Sequence, residues 1–330
     1  MDKLVENKVS KQDLYPPIDP FDQRTLRVDG GHQLYVEQCG DPQGIPVIVL
    51  HGGPGGGCSP TMRRYFNPEH YRIILFDQRG CGRSRPLASV NENTTWHLIA
   101  DIEKIRRALD IPQWFAFGGS WGATLALIYA QQYPETVTHL ILRGVFLMTK
   151  GELDWFYGGG AGKIWPEHWE RFVEPIPRDE RHDLITAYHR RLFSGNLTEE
   201  SRYARTWMNW ENSLASAHAS PMMNSSPSNR TRAFARLENH YFMNNGFLRE
   251  DGQILNEMSK IEHIPGIIIQ GRLDMICPPD SAYKLAKLWR RADLKIFPNS
   301  GHALSEPAIS TSLVSYMDKL APQGRSLIVS

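Results

Sequence analysis

A chain of 330 residues with 41% hydrophobic and 22% charged residues can bury a large core and has the composition of a globular protein, not a disordered one. A formal net charge of +1, without a dense Lys/Arg run interleaved with aromatics, gives no general attraction for nucleic acid or an anionic membrane. The four cysteines form no CxxC pair or metal-type Cys/His cluster, no stretch approaches the length of a membrane span, and Met1–Lys8 lacks the apolar run of a signal peptide; the expectation is a cytoplasmic protein with free thiols and no metal.

Three short apolar runs in the first half, Pro46–Leu50, Arg72–Phe76 and Trp114–Phe117, read as buried parallel strands. Each ends in a Gly-rich loop, and helical patterns follow at Leu98–Leu109 and Trp121–Gln132. Alternation of strands and helices predicts an α/β architecture with a mostly parallel central sheet, whose sites lie in the loops at the carboxyl ends of the strands. His139–Arg143 is a further strand. From about Phe146 to Asn256 the texture changes to Trp, Arg, Asn and His with helical pieces, and strand signals return at Gly266–Gln270 and Leu294–Phe297. The expected organisation is a core of residues 1–146 and 256–330, split by a helical cap of residues 147–255. Met222–Pro227 reads as a flexible cap loop and Gln323–Ser330 as a loose tail.

Gly118-Gly119-Ser120-Trp121-Gly122 fits G-x-S-x-G between a predicted strand and a predicted helix. On such a turn a serine stands exposed at the helix N-terminus, where negative charge is favoured. The pentapeptide alone is equally compatible with a Gly-Ser loop that does no chemistry. Two downstream segments supply partners in the chain order Ser, acid, His. Asp274 follows the strand ending at Gln270, and His302 follows the strand ending at Phe297. Each alone reads as an ordinary loop residue; their placement after consecutive strands makes Ser120 a nucleophile, His302 its base and Asp274 the group that orients the imidazole. The loop His51–Gly57 after Leu50 is rich in glycines whose N–H groups can face an oxyanion, and the N–H groups of Gly53 and Trp121 are the candidates. A phosphate loop is disfavoured, because no Gly-Lys-Ser/Thr follows. In Asp77–Ser84, Asp77 and Arg79 are expected to pair or to cap the loop.

The succession HGGPGGG, DQRGCGRS, GGSWG, GRLD and SGH resembles the proline iminopeptidases (prolyl aminopeptidases), peptidase family S33 of the α/β-hydrolase fold. The resemblance runs from about Tyr15 to the helix after His302. It implies a serine exopeptidase that releases N-terminal proline through an acyl-enzyme, without metal or organic cofactor. Its triad falls on Ser120, Asp274 and His302. Its substrate-binding elements fall on Glu211 and Glu238 for the terminal amine, on Arg143 and Phe146 near the proline pocket, and on Phe242 and Cys277 lining it. Read without the resemblance, each Glu is a solvated helix residue and Cys277 a plain buried thiol. Leu273, where the family often has an aromatic residue, is expected to alter the packing behind Asp274. The implied partners are small peptides with N-terminal proline; an oligomer is neither specified nor excluded. An esterase or amidase on the same scaffold, or a binding protein using the fold, are the other readings, the last one disfavoured by the intact triad.

Overall fold

A computed structural model describes residues 14–216 and 228–328. Two strands that no apolar run announces come first, β1 (Asp22–Arg27) and β2 (Gln33–Gly40). β1 is largely exposed, so its polar sequence is that of a sheet edge and carries no hydrophobic signal. Then follow β3 (Ile45–Leu50), β4 (Tyr71–Phe76), α1 (Thr95–Ala108), β5 (Trp114–Ser120), α2 (Trp121–Gln132) and β6 (Val137–Val145). Six helices come next: α3 (Lys150–Tyr157), α4 (Pro166–Val173), α5 (Leu184–Leu192), α6 (Leu197–Leu214), α7 (Asn229–Met243) and α8 (Gln253–Asn256). The chain closes with β7 (Gly266–Gly271), α9 (Pro279–Leu288), β8 (Ala292–Phe297) and α10 (Pro307–Ile328).

The eight strands form one sheet in the order β1-β2-β4-β3-β5-β6-β7-β8. β2 is antiparallel to β1 and β4, and every other neighbouring pair is parallel. The inner parallel strands β3, β5 and β7 are buried on both faces, which is why they read as continuous apolar runs. Alternate side chains divide between two cores. Phe115, Phe117, Ile141, Ile267 and Ile269 pack with Ile309, Leu313 and Met317 of α10. Ala116, Leu140, Leu142 and Ile268 face the other way, toward α1, α2 and the inserted helices.

Between Val145 and Gly266 the described residues contain helices and no strand. Met222–Pro227 lies outside the described residues. The loose tail expected from Gln323 is corrected: α10 runs to Ile328. Pro322 and Gly324 read as breakers, but the turns before them are docked on the sheet, and a docked helix extends at small cost per residue. All four cysteines are free, and no helix among the described residues is long and apolar enough to cross a membrane.

Candidate active site

β4 lies on one side of β3 and β5 on the other, so the winding of the chain reverses between the carboxyl ends of β3 and β5, where α/β sheets form a crevice. Ser120 stands there, between β5 and α2, with φ 57° and ψ −127°. That conformation costs a non-glycine residue about 1–3 kcal/mol and is held only by its surroundings. A Cβ on Gly118 would strike the carbonyl of Gly122, and a Cβ on Gly122 would strike the carbonyl of Leu50, so the turn closes only with glycine at both places.

Asp274 and His302, both buried, meet behind it. His302 Nδ1 lies 2.8 Å from Asp274 Oδ2. A carboxylate at Nδ1 sets the tautomer that leaves Nε2 unprotonated and able to accept a proton. Asp274 is fixed by three further donors: the N–H of Ile276 at 3.1 Å and of Cys277 at 2.7 Å on Oδ1, and Gln270 Nε2 at 3.1 Å on Oδ2. The imidazole packs on Gly144, 3.0 Å from where a Cβ would stand, and the next residue, Val145, is the sheet partner of Ser120. The ring thereby lies at the end of β6, against the residue next to the sheet partner of Ser120. Leu273 is 36% exposed.

Arg143, expected near the proline pocket, packs behind the nucleophile turn: its guanidinium lies against Gly119, and Nη1 donates to the carbonyl of His302 at 2.6 Å. The position at the end of β6 puts it under the loops and not in front of them. Asp77 and Arg79 do not pair with each other. Asp77 caps its loop through the N–H groups of Cys58 and Arg83, whereas Arg79 reaches back to Asp101 (2.7 Å) and Asp29 (2.5 Å).

The glycine loop after β3 is held from inside. Gln78 N–H donates to His51 Nε2 at 3.1 Å, which leaves Nδ1 to donate to the Gly52 carbonyl at 2.9 Å. Gly56 N–H donates to the same carbonyl at 3.1 Å. Because a trans peptide plane carries C=O and N–H on opposite sides, pinning Gly52 O also aims the N–H of Gly53. Gly52 abuts Ser120, and Gly53 lines the cavity with it. Trp121 N–H belongs to the first turn of α2 and so has no partner within the helix.

That cavity, about 240 Å³, is lined by Gly53, Ser120, Phe146, Phe156, Glu211, Glu238, Phe242, Ile276 and Cys277. Glu211 on α6 and Glu238 on α7 come together there, two helices bringing carboxyls 27 positions apart into hydrogen-bond contact. Trp207 Nε1 donates to Glu238 Oε2 at 2.5 Å and Tyr157 Oη at 3.4 Å, while Glu211 Oε2 is buried without a partner. Burial raises the pKa of both acids, and the neighbouring Glu211 raises that of Glu238 further. Two carboxyls in one apolar pocket cannot both ionise cheaply unless a cation joins them.

Burial pushes the Cys277 thiol well above its ordinary value, and the Asp274 charge adds to this, so it remains a thiol. Phe146 is steadied by Thr124 Oγ1 on its carbonyl (2.7 Å) and by Glu152, which accepts the N–H groups of Leu147 and Thr149 and a 2.6 Å bond from Ser281. The sequence reading missed Gln270, Phe156, Trp207, Glu152 and Ile276. Gln270 carries a legible signal, a lone polar residue closing the apolar run Gly266–Ile269; Phe156 and Trp207 carry none, since aromatics crowd the whole insertion. Among the described residues, one acid–His group, Asp29, Glu92 and His97, has the spacing for a cation; Asp29 is already engaged by Arg79 and His97 by Thr94.

A strand-to-helix serine at the switch point, over a mostly parallel sheet, defines an α/β hydrolase, and the family model described as alpha/beta hydrolase fold matches residues 45–308. Among sequence relatives, proline iminopeptidase of Xylella fastidiosa strain Temecula1 is 50% identical over 92% of this chain and 98% of its own length. Proline iminopeptidase of Arabidopsis thaliana is 50% identical over 96% of this chain and 84% of its own, and that of Neisseria meningitidis serogroup A 46% over 94% and 99%. The chain belongs to the proline iminopeptidase family of α/β hydrolases. Solved structures share the fold, including an esterase from Exiguobacterium antarcticum (TM-score 0.58, 21% identity, 89% of this chain and 98% of that one) and proline iminopeptidase of Mycobacterium smegmatis (TM-score 0.56, 18% identity, 92% and 99%).

Proposed function

We propose that this protein releases N-terminal proline from peptides through an acyl-enzyme formed on Ser120. The observation that carries the reading is the pair Glu211–Glu238 buried in the same cavity as Ser120: a cationic amine is the group such a pair lacks, and only a substrate's first residue brings one to a nucleophile. The proline ring would sit among Phe146, Phe156, Phe242 and Cys277, in a slot with room for a small rigid residue and little rotamer entropy to lose. Helices α3–α8 act as the cap that supplies this pocket.

In the first half-reaction Ser120 Oγ attacks the prolyl carbonyl and its proton passes to His302 Nε2. Asp274 stabilises the imidazolium, and the N–H groups of Gly53 and Trp121 receive the oxyanion, each donor contributing about 3 kcal/mol to the transition state. The C–N bond breaks as His302 returns the proton to the leaving amine. Water, deprotonated by His302, then cleaves the ester, and proline and the serine hydroxyl are restored.

The test is release of the reporter amine from prolyl aryl-amide, compared with its N-acetylated form and with alanyl and leucyl analogues. Cleavage of the free prolyl compound well above the others is expected. Turnover of simple esters with none of the prolyl amide would defeat the assignment. Ser120→Ala should lower kcat by about 10⁴-fold or more with the fold intact by circular dichroism; wild-type turnover would remove Ser120 from the mechanism.

A further inference from the structure

A second cavity, about 420 Å³, opens on the other side of the glycine loop. Gly55, Gly56 and Gly82 form its floor, Met208 and Phe234 its walls, and Arg230 its exposed rim. It lies next to the first cavity along the same loop. Gly53 lines the first cavity and Gly55 the second, and Phe234 covers the turn between them, its Cε2 3.3 Å from where a Cβ on Gly53 would stand. The turn is closed by the Gly56 N–H to Gly52 bond, so the second cavity begins one turn from the residue that abuts Ser120.

α7 carries three arginines, of unequal standing. Arg232 and Arg236 are committed to Glu200 at 2.7 and 3.1 Å. Arg230 lines the cavity, near enough to the loop for its charge to act on the Cys81 thiol. Resting on the aminopeptidase reading, we propose that this cavity receives the leaving part of the substrate and that Arg230 binds the terminal carboxylate of a short peptide, making prolyl di- and tripeptides the favoured substrates. The first cavity is filled by the prolyl residue, so everything after the scissile bond must lie outside it. An extended residue spans ~3.3–3.6 Å, so one or two residues beyond the bond carry a carboxylate across a single turn of chain. A guanidinium at the rim is suited to such a group, and the glycine floor adds no side chain to obstruct the backbone.

The experiment compares kcat/KM for Pro-Gly-Gly with that for Pro-Gly-Gly-amide, in the wild type and in Arg230→Gln, Arg230→Glu and Arg230→Lys. The acid-to-amide ratio within one preparation is insensitive to any inactive fraction. The wild type should prefer the free acid by about fivefold; the ratio should approach one in Arg230→Gln, fall below one in Arg230→Glu and be largely kept in Arg230→Lys. A wild-type ratio of one, or a ratio unmoved in Arg230→Glu, overturns the proposal. Prolyl aryl-amide, which has no carboxylate, separates the two readings: if it is cleaved while the ratio is one, this inference alone fails, and if no prolyl compound is cleaved, the aminopeptidase reading fails with it.

Discussion

Glu211 and Glu238 share one buried cavity, which on the proposed function awaits the charge of the substrate's amine. Both acids titrate above the ordinary carboxyl value through burial, so above about pH 4.3 the folded chain keeps protons that the unfolded chain has released. Stability therefore falls as pH rises through that window. Glu211→Gln removes one ionisation and lets an amide donate to Glu238. It should raise the midpoint of thermal unfolding by roughly 2–4 °C at neutral pH, with the difference closing near pH 4. The same variant should lose roughly 30-fold or more in kcat/KM on free prolyl aryl-amide, the cost of removing one partner of a buried charge pair. Differential scanning calorimetry across pH, alongside kinetics, checks both halves; a less stable variant at neutral pH would mean that the carboxylates serve mainly as structure. At this scale the triad candidates were legible because motif letters and strand ends coincide in Ser120, Asp274 and His302. Sequence gives the strand that carries Arg143 but not the side of the loop on which its long side chain lies.

Each strand–loop–helix unit at the crevice works through close backbone approach. Gly122 in the first turn of α2 faces the carbonyl of Leu50 at the end of β3, so the helix can lie on the strand only without a side chain there. Gly122→Ala should cost about 3 kcal/mol, more than an ordinary exposed helix glycine would gain, because backbone has to move. Urea unfolding measures this; a neutral or stabilising effect would show that α2 does not sit where the geometry has it. β3, β4 and β5 were readable as apolar runs, β6, β7 and β8 as further strand signals, and α2 was read with its observed bounds. β1 and β2 were not: β1 is an exposed antiparallel edge, and β2, though buried, has its apolar residues interrupted by the polar pair Glu37 and Gln38.

For the whole molecule, core and insertion are joined by many direct ties, among them Trp96 Nε1 to the carbonyl of Phe247 at 2.8 Å, Trp155 Nε1 to that of Met275 at 2.8 Å, Tyr241 Oη to Asn93 at 2.8 Å and Ala303 N–H to the carbonyl of Ala215 at 2.7 Å. On the proposed mechanism the nucleophile comes from the sheet-end loops and the carboxylates from α6 and α7, so their pH responses are separable. Substrates with a free amine need the carboxyl pair ionised, and their kcat/KM should fall on acidification at higher pH than that of an N-acylated prolyl ester, which does not use the pair. Coincident acid limbs for the two would mean that the glutamates do not meet the amine. Sequence alone determined the layered α/β core, the strand ends that carry Ser120, Asp274 and His302, and the helical nature of residues between β6 and β7, because hydrophobic period and glycine placement are local properties of the chain. Tertiary structure alone decided that Glu211 and Glu238 share a buried pocket, that Gln270 locks Asp274 and that Arg143 lies beneath the site. Those outcomes depend on which faces of distant helices meet, and no local pattern encodes the distance between two side chains on different elements.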